Sequence, residues 1–448
     1  MPTATAEAPV AERSGTSTPA RLVAAAHRSV PASSFVAFRV AFGLLVTFGQ
    51  IRFLARGWVD EFYLAPEHHL TYPGFGWVAP LPAPAMYAVT VGLAVLGVLI
   101  AVGVRPRLSA ALFTLGFAYC ELIDAALYLN HYWFVTLAGL LLAVLPAPDG
   151  GRVPAFDVWA LRAQLGVVYF FAGLAKLNAD WLWRAEPLHT WLSARTDRPL
   201  VGPWLDEPVV ALAVGWAGAA FDLTIVAWLL WRRTRPGAYV VLVVFHLATA
   251  ALFQIGVFPW VMIAATPIFF APDWPARVRS RLGVDDRPLG PPGESTRRTT
   301  RTVAIALSVL AMLNVALPLR HYAAEGNVRW NDDGYLLSWR VLLTERSSRV
   351  TFDVVDARTG RVREVVPTDV LDEWQAAAAT TRADLILATA HLVGETEADL
   401  VGHDDVEVYA DVFVAWNGRL RERWIDPDVD LMSVSRLSPA STFVLDHD

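Results

Sequence analysis

The sequence predicts a polytopic α-helical membrane bundle of about nine spans, followed by a small extracytoplasmic α+β domain. Of the 448 residues, 55% are hydrophobic, and the mean hydropathy is +0.40. Soluble domains are about 45–50% apolar and are not hydropathic overall. Long apolar runs continue to about residue 320, after which the hydropathy falls and shorter alternating patterns begin. The chain is therefore expected to be a membrane protein over most of its length.

Nine apolar runs are long enough, or nearly so, to cross a bilayer at about 20 residues each. The eighth is short and is expected to be tilted or half-buried. The runs lie near residues 35–55, 84–104, 108–127, 130–146, 159–179, 208–231, 236–254, 256–271 and 302–320.

Composition also predicts the domain limits. The first 30 residues are rich in Ala, Pro, Ser and Thr and lack an apolar core, which indicates a disordered tail rather than a secretory signal peptide. The expected order is a cytoplasmic tail (1–30), the bundle (31–271), a cytoplasmic linker (272–301), a last span (302–320) and the C-terminal domain (321–448).

Arginine placement predicts the topology. The arginines precede the first run and fill alternate loops, so they lie on one side if nine spans alternate. The positive-inside rule makes that side cytoplasmic, and the C-terminal domain then lies outside. The arginines are Arg13, Arg21 and Arg28, then Arg105 and Arg107, then Arg232, Arg233 and Arg235, then Arg277, Arg279, Arg281, Arg287, Arg297, Arg298 and Arg301, with a weaker pair at Arg152 and Arg162.

The C-terminal part has the mixed patterning of an α+β domain. Strands are predicted at 337–343, 350–354 and 406–414, helices at 369–379 and 382–394, and turns at 356–360 and 416–419. The chain has no metal-ligand spacing, phosphate loop, dinucleotide fingerprint or nucleic-acid signature. Its single cysteine, Cys120, excludes an intrachain disulfide.

Lys176 is the most informative residue, because it ends an apolar run. It follows Gly173 by one helical turn and precedes Asp180 by one turn. An ammonium that loses its hydration gives up its proton more readily, and a neutral amine near pH 7 is a base or a nucleophile. The alternative is that the amine reaches the membrane surface, as lysines near the end of a spanning helix often do.

Other polar residues are predicted near the same depth. The topology places His131, Lys176 and Gln254 at the outer rim, although a histidine there can also be a simple interfacial residue. His246 and Asp222 lie deeper within apolar runs and need partners, so either can be a structural anchor between helices.

The loop over 180–207 is dense in tryptophan, including Trp181 and Trp191. Residues 187–192 within it predict a short interfacial helix over the outer mouth of a cavity. An ordinary aromatic belt would equally explain the tryptophans.

Ordered sequence blocks resemble those of the vitamin K-dependent gamma-carboxylase family, whose membrane part is the horizontally transferred transmembrane domain, and the chain is expected to be a bacterial member. The blocks are NHYW at 130–133, VYFFAGLAKLNADW at 168–181, FHLATAALFQIGVF at 245–258, TPIF at 266–269, PDWP at 272–275, YLLSW at 335–339, DARTG at 356–360 and RWIDPDVD at 423–430.

The resemblance implies a reaction. The lysine matching Lys176 deprotonates vitamin K hydroquinone, or a menaquinol-like quinol. Oxygen then adds to give an alkoxide, which removes a γ-proton from a peptide glutamate. The carbanion takes CO2, and the quinone leaves as an epoxide. The histidine matching His131 assists the carbanion and CO2 step, with Asn130 beside it near the quinone.

The resemblance also implies the remaining contacts. Tyr169, Trp181, His246 and Gln254 lie in the matching blocks and are expected to contact the quinone. The implied partners are a glutamate-containing peptide or protein and the lipid bilayer, with O2 and CO2 as co-substrates and no nucleic acid.

Three departures from the animal enzymes leave peptide recognition open. The sequence ends earlier, at Asp448, a single cysteine excludes their luminal disulfide, and Ala175 replaces a second lysine. The membrane chemistry is expected to be intact. Three functions therefore remain: a gamma-glutamyl carboxylase, a quinone epoxidase that never carboxylates a peptide, and a non-enzymatic module that binds a lipid or partner.

Overall fold

A computed structural model describes residues 25–253, 255–284 and 301–447. Within these ranges, the nine apolar runs correspond in order to nine helical segments. They are α1 (Ser33–Ala55), α2 (Ala83–Val102), α3 (Pro106–Ile123), α4 (Asn130–Val144), α5 (Ala155–Ala175), α6 (Pro208–Leu230), α7 (Arg235–Leu252), α8 (Phe258–Ala265, continued by a 3-10 turn over Thr266–Phe269) and α9 (Arg301–Leu319).

Among the described residues, six segments are long and apolar enough to cross a membrane: α1, α2, α5, α6, α7 and the last one, counted over Val303–Ala323. The predicted count of nine spans is not confirmed. The helix α4 has 15 residues, which at 1.5 Å each gives about 22 Å against a hydrocarbon core of about 30 Å. The α8 segment is shorter still, and α3 carries Arg107 and Glu121 among its apolar residues.

The helices close into a bundle around one apolar core. In chain order, α1 packs on α2, α2 on α3 and α3 on α4, while α5 packs on α6, α6 on α7 and α7 on α8. The helix α8 returns to pack on α1, and α9 contacts α4 and α5. The bundle core is therefore shared by helices that are distant in sequence.

A two-stranded ribbon ties the beginning of the described chain to the bundle. Strand β1 (Ser29–Pro31) pairs antiparallel with β2 (Arg152–Pro154), just before α5. Ser29 and Val30, which the sequence assigns to a disordered tail, are thus ordered by backbone pairing. Most of that tail, and residues 285–300 of the expected linker, lie outside the described residues, whereas the linker's first part forms the helix Trp274–Arg281.

The C-terminal domain is a small α+β unit, as predicted. Its antiparallel sheet has the order β4-β3-β5-β6 and two helices packed nearby, and it buries its own apolar core. The elements are β3 (Arg346–Asp356), β4 (Arg361–Val365), α10 (Glu373–Ala379), α11 (Ala383–Val401), β5 (Val406–Trp416) and β6 (Glu422–Arg423).

The strand predicted at 337–343 is wrong. That stretch is irregular, and Leu337, Trp339 and Leu342 have φ of 57°, 57° and 56°. Left-handed backbone at three non-glycine residues cannot belong to a strand. The alternating apolar residues point instead into the membrane bundle, where Trp339 is fully buried.

Polar contacts hold the C-terminal domain on one end of the bundle. Gln375 Nε2 donates to Asp124 Oδ2 over 2.7 Å, and Arg382 Nη1 donates to the Ala125 carbonyl over 2.7 Å. Both acceptors lie in the turn between α3 and α4. The C-terminal domain therefore covers the bundle end at which α3 and α5 finish.

Candidate active site

Lys176 lies at the C-terminal end of α5, within a buried ion pair. Its Nζ donates to Asp222 Oδ2 on α6 over 2.8 Å and to the Ala172 carbonyl over 3.3 Å. Lys176 is 7% exposed and Asp222 is 6% exposed. The amine therefore does not reach open solvent, and Asp222 replaces much of the hydration that Lys176 has lost.

A glycine one turn before Lys176 allows this pair to form. A Cβ at Gly173 would lie 2.9 Å from the Leu223 backbone nitrogen and 2.8 Å from Leu223 Cγ. Real Cβ atoms essentially never approach so closely, so α5 and α6 can meet here only without a side chain. This approach brings Asp222, the residue before Leu223, opposite Lys176.

Asp222 is the site residue that sequence reasoning missed. The sequence predicts a poorly hydrated amine at Lys176 and leaves open whether Asp222 is a structural anchor, without pairing the two residues. Asp222 can be recognised in the sequence because it is an acidic residue inside an apolar run, and such a residue needs a partner. Helical periodicity does not tell which partner, because that depends on which helices are neighbours.

A second polar pair lies in the same cavity. The Tyr169 hydroxyl and His246 Nε2 are 2.8 Å apart. His246 is 2% exposed, and its Nδ1 has no hydrogen-bond partner among the described residues. When the hydroxyl donates to Nε2, Nδ1 carries the ring proton and is free to donate. An unpartnered buried donor indicates a place for a ligand oxygen.

The remaining wall of this cavity is apolar and aromatic. The cavity is partly open, and its volume is about 80 Å³. Besides the two polar pairs and Trp181, the cavity is lined by Val168, Ala172, Leu188, Val214, Gly218, Phe245, Thr249, Phe253, Ile255, Phe258, Val341 and Leu342. Such a site suits a flat apolar ring with polar groups at its edge.

Trp181 supports the amine from the loop side. Lys176 Nζ lies 5.3 Å from the centroid of the Trp181 ring, which is within reach of a cation–π contact. The indole Nε1 donates to the Gly215 carbonyl on α6 over 2.8 Å. The short helix predicted nearby is present as Leu188–Ser193, and Leu188 packs against Trp181.

His131 does not line the cavity of Lys176, although both residues are predicted at the same outer rim. It is 7% exposed and lines a second, larger cavity of about 500 Å³, together with Arg52, Glu121 and Tyr132. The Phe258 ring lies between the cavities, with its centroid 6.1 Å from the His131 ring and 6.1 Å from the His246 ring. His131 therefore faces α1 and α3 rather than α6, and its depth in a membrane stays a prediction.

Asn130 lies in neither cavity. Its Nδ2 donates to the Arg340 carbonyl over 3.2 Å, and its Oδ1 accepts from the Tyr128 hydroxyl over 3.1 Å. Gln254, the remaining residue expected near the quinone, lies outside the described residues.

The irregular stretch 335–343, here called the covering segment, closes the Lys176 cavity on the side of the C-terminal domain. Val341 and Leu342 line the cavity, while Asn130 holds the neighbouring carbonyl. Strained backbone of this kind is typical of functional sites and costs about 1–3 kcal/mol per residue. The covering segment therefore supplies part of the wall of the Lys176 cavity.

Asp180 anchors the C-terminal domain beside the site. Its carboxylate accepts from Arg419 Nη2 over 2.5 Å, from Asn417 Nδ2 over 3.2 Å and from Arg329 Nη1 over 3.4 Å. Burial alone would raise the pKa of Asp180, but the hydrogen bonds from Arg419 and Asn417 and the arginine charges together hold that pKa below its usual value.

Comparison with known families gives two matches that together cover most of the chain. The HTTM domain model matches residues 27–274. The model described as "Vitamin K-dependent gamma-carboxylase, lumenal domain" matches residues 299–448. No solved structure matches the chain.

Proposed function

Because the chain belongs to the vitamin K-dependent gamma-carboxylase family, we propose that it is an integral membrane gamma-glutamyl carboxylase that couples hydroquinone epoxidation to carboxylation of peptide glutamate. One observation carries the proposal: Lys176 is buried against Asp222 in an apolar cavity that also contains an unpartnered histidine nitrogen. Lys176 supplies the base, Asp222 accepts the proton that Lys176 gives up, and His246 supplies a hydrogen-bond donor.

The chemistry of the residues that line the Lys176 cavity matches a quinol, and the cavity of about 80 Å³ has to widen to admit the ring. The quinol ring needs flat apolar walls, which Phe245, Phe253 and Phe258 supply. It also has two oxygens on opposite edges, and the cavity offers polar groups from two places, Lys176 with Asp222 and His246 with Tyr169. We expect His246 Nδ1 to hold the oxygen that Lys176 does not face.

The Lys176–Asp222 pair removes the first proton from the quinol hydroxyl. The resting pair is an ion pair, and the reaction begins when one proton moves from the Lys176 ammonium to the Asp222 carboxylate, which gives a neutral amine beside a neutral acid. The amine lone pair of Lys176 then accepts a quinol hydroxyl proton. The ammonium that forms is paired with the quinolate anion, and the neutral Asp222 acid accepts a hydrogen bond from it. When bound, the hydroquinone supplies the electrons that reduce O2 and thereby the strong base that removes the glutamate γ-proton.

The other residues exclude water and position the substrate. Val341 and Leu342 shield the cavity, so a strong base inside it is protected from quenching. Asn130 positions the covering segment, because its side chain donates a hydrogen bond to the Arg340 carbonyl. His131 serves the carbanion and CO2 step from the neighbouring cavity, across Phe258.

In this proposal, nine helices cross the membrane, with a cytoplasmic tail (1–30) and linker (272–301) and an extracytoplasmic domain (321–448). The alternating arginine clusters support this arrangement. Quinol then enters from lipid, while the glutamyl peptide arrives from the side of the C-terminal domain. O2 and CO2 are the co-substrates.

One observation favours a second candidate, a quinone epoxidase that does not carboxylate peptide. His131, the residue implied in carboxylation, is separated from the Lys176 cavity by Phe258. An epoxidase needs only the residues of the Lys176 cavity. Epoxidation therefore does not depend on His131.

Purified protein supplied with hydroquinone, O2, labelled bicarbonate and a glutamate-rich peptide distinguishes the candidates. We expect epoxide together with label in the peptide. Epoxide without label supports the epoxidase, and neither product contradicts both. The variant His131→Ala is expected to lose label incorporation, and unchanged incorporation would remove its assigned role.

A further inference from the structure

A third cavity lies on the far side of α5 from the Lys176 cavity and has a different chemistry. It is about 490 Å³ in volume and opens where α5 and the last candidate membrane helix end beneath the C-terminal domain. Its main walls are Phe171, Leu174, Pro318, His321, Arg329 and Arg340. We call it the arginine cavity.

Among the residues that the structure describes, Arg340 is a buried cation without a counter-charge. It is 6% exposed, and its Nε has no hydrogen-bond partner among the described residues. Within those residues its guanidinium also forms no ion pair, and no acidic side chain lines the cavity. A buried unpaired charge is costly, so its persistence here indicates an anionic ligand.

A second arginine strengthens the positive charge. Arg329 lines the same cavity and donates to Asn178 Oδ1 over 2.6 Å and to Asp180 Oδ2 over 3.4 Å. Those contacts fix the position of Arg329. Arg419 also pairs with Asp180, so one carboxylate faces two arginines. Arg340 remains the cation available to a ligand, and an arginine fork matches phosphate or carboxylate geometry.

The opposite wall identifies the kind of anion. Phe171 and Leu174 belong to α5 and Pro318 to α9, two helices suited to a membrane. Leu177 and Tyr322, at the rim, are 51% and 70% exposed. An acidic soluble peptide would leave this apolar wall uncovered, whereas an amphipathic anion would cover both halves.

We propose that the arginine cavity binds the phosphate of an anionic lipid headgroup, with the first part of the acyl chains against α5 and α9. The phosphate accepts hydrogen bonds from Arg340, whose backbone carbonyl Asn130 holds in place. Since Arg340 immediately precedes the two residues that line the Lys176 cavity, the lipid also fixes the covering segment. The net charge of −6 means that the protein as a whole does not attract anions.

Site-resolved photolabelling tests the proposal without any turnover measurement. Purified full-length protein is irradiated with phosphatidylglycerol carrying a photoreactive group near its headgroup, and adducts are mapped by peptide mass spectrometry. We expect adducts around Leu177 and Tyr322, and we expect phosphatidylcholine with the same group to give about tenfold fewer there.

Variants and competitors supply the controls. Arg340→Gln is expected to lower these adducts about tenfold, while Arg421→Gln, the same charge change at an exposed residue of the C-terminal domain, leaves them unchanged. Unlabelled phosphatidylglycerol should displace the label, whereas inorganic phosphate and an acidic glutamate peptide should not.

Three results would overturn the proposal: equal labelling by the two lipids, undiminished labelling of a folded Arg340→Gln variant, or displacement by free phosphate or peptide. The last would make the cavity a phosphate or peptide site. If Arg340→Gln does not fold, the wild-type comparison of lipids and competitors still decides.

Discussion

Removing the Asp222 carboxylate while keeping Lys176 is expected to destabilise the protein by about 3–5 kcal/mol. The two side chains are each 8% exposed, and Nζ and Oδ2 are 2.8 Å apart. In Asp222→Leu, the ammonium would stay buried with only the Ala172 carbonyl, 3.3 Å away, as an acceptor. The cost follows from that uncompensated charge rather than from lost packing.

The double-mutant cycle separates the charge from the packing. Lys176→Met leaves a buried carboxylate and is also expected to lose about 3–5 kcal/mol, whereas Lys176→Met with Asp222→Leu leaves no charge and should be close to neutral. The coupling free energy is then several kcal/mol. Hydrogen bonds between membrane helices average only about 0.6 kcal/mol, so a coupling of that size identifies an ion pair.

Unfolding in detergent micelles, followed by tryptophan fluorescence for all four proteins, measures this coupling. The expected order has both single variants unfolding well before the wild type and the double variant. Additive losses, with a coupling below about 0.5 kcal/mol, would show that the two residues do not interact, because independent sites add within that range.

Three further outcomes follow from the site. Gly173→Ala should destabilise the bundle by about 1–3 kcal/mol, because its Cβ meets α6. Gly166→Ala, whose nearest such contact is an ordinary 3.6 Å, should not; equal unfolding temperatures for the two variants would contradict the close approach. Tyr169→Phe should raise the KM for quinol about tenfold by freeing His246 Nε2, and an unchanged KM would argue against a quinol there. The pKa of Asp180 is lowered in the folded protein, so its contribution to stability is complete above the unfolded pKa of about 3.9 and is lost as pH falls through the lower folded value. The wild type should therefore exceed Asp180→Asn in unfolding temperature at pH 6, and the gap should shrink at lower pH; a gap independent of pH would refute this.

Local patterns predict the helices and most of the C-terminal domain well. The apolar runs give helices in the expected order, because each run is long and continuous. Strand β5 follows from alternation and ends two residues after its predicted limit, whereas helix α11 follows from helical patterning but continues seven residues beyond its predicted end. These features depend on near neighbours in the chain, which the sequence displays directly.

Features that depend on contacts between distant parts of the chain were harder to predict. Lys176 stands out as a charge in an apolar run, but its pairing with Asp222 requires α5 and α6 to be neighbours in contact. His131 shows the same limit, because its depth follows from the topology while its facing direction follows from packing.

The covering segment was mispredicted for a related reason. Its alternating apolar residues are typical of a strand, yet Trp339 is buried in the core of the membrane bundle rather than in that of the C-terminal domain. Alternation indicates that a stretch has an apolar side, but it does not indicate in which core that side is buried.

Epoxide formation by Lys176→Met, measured together with quinol binding, tests the role of the buried amine most directly. The substitution removes the amine and shortens the side chain by one heavy atom, and because it leaves Asp222 unpaired, the measurement uses variant protein whose fold is confirmed by its unfolding transition. We expect quinol binding to persist while epoxide formation falls about 10²–10⁴-fold, the usual contribution of a general base. Epoxide formation at the wild-type rate would contradict the assignment of Lys176 as the base.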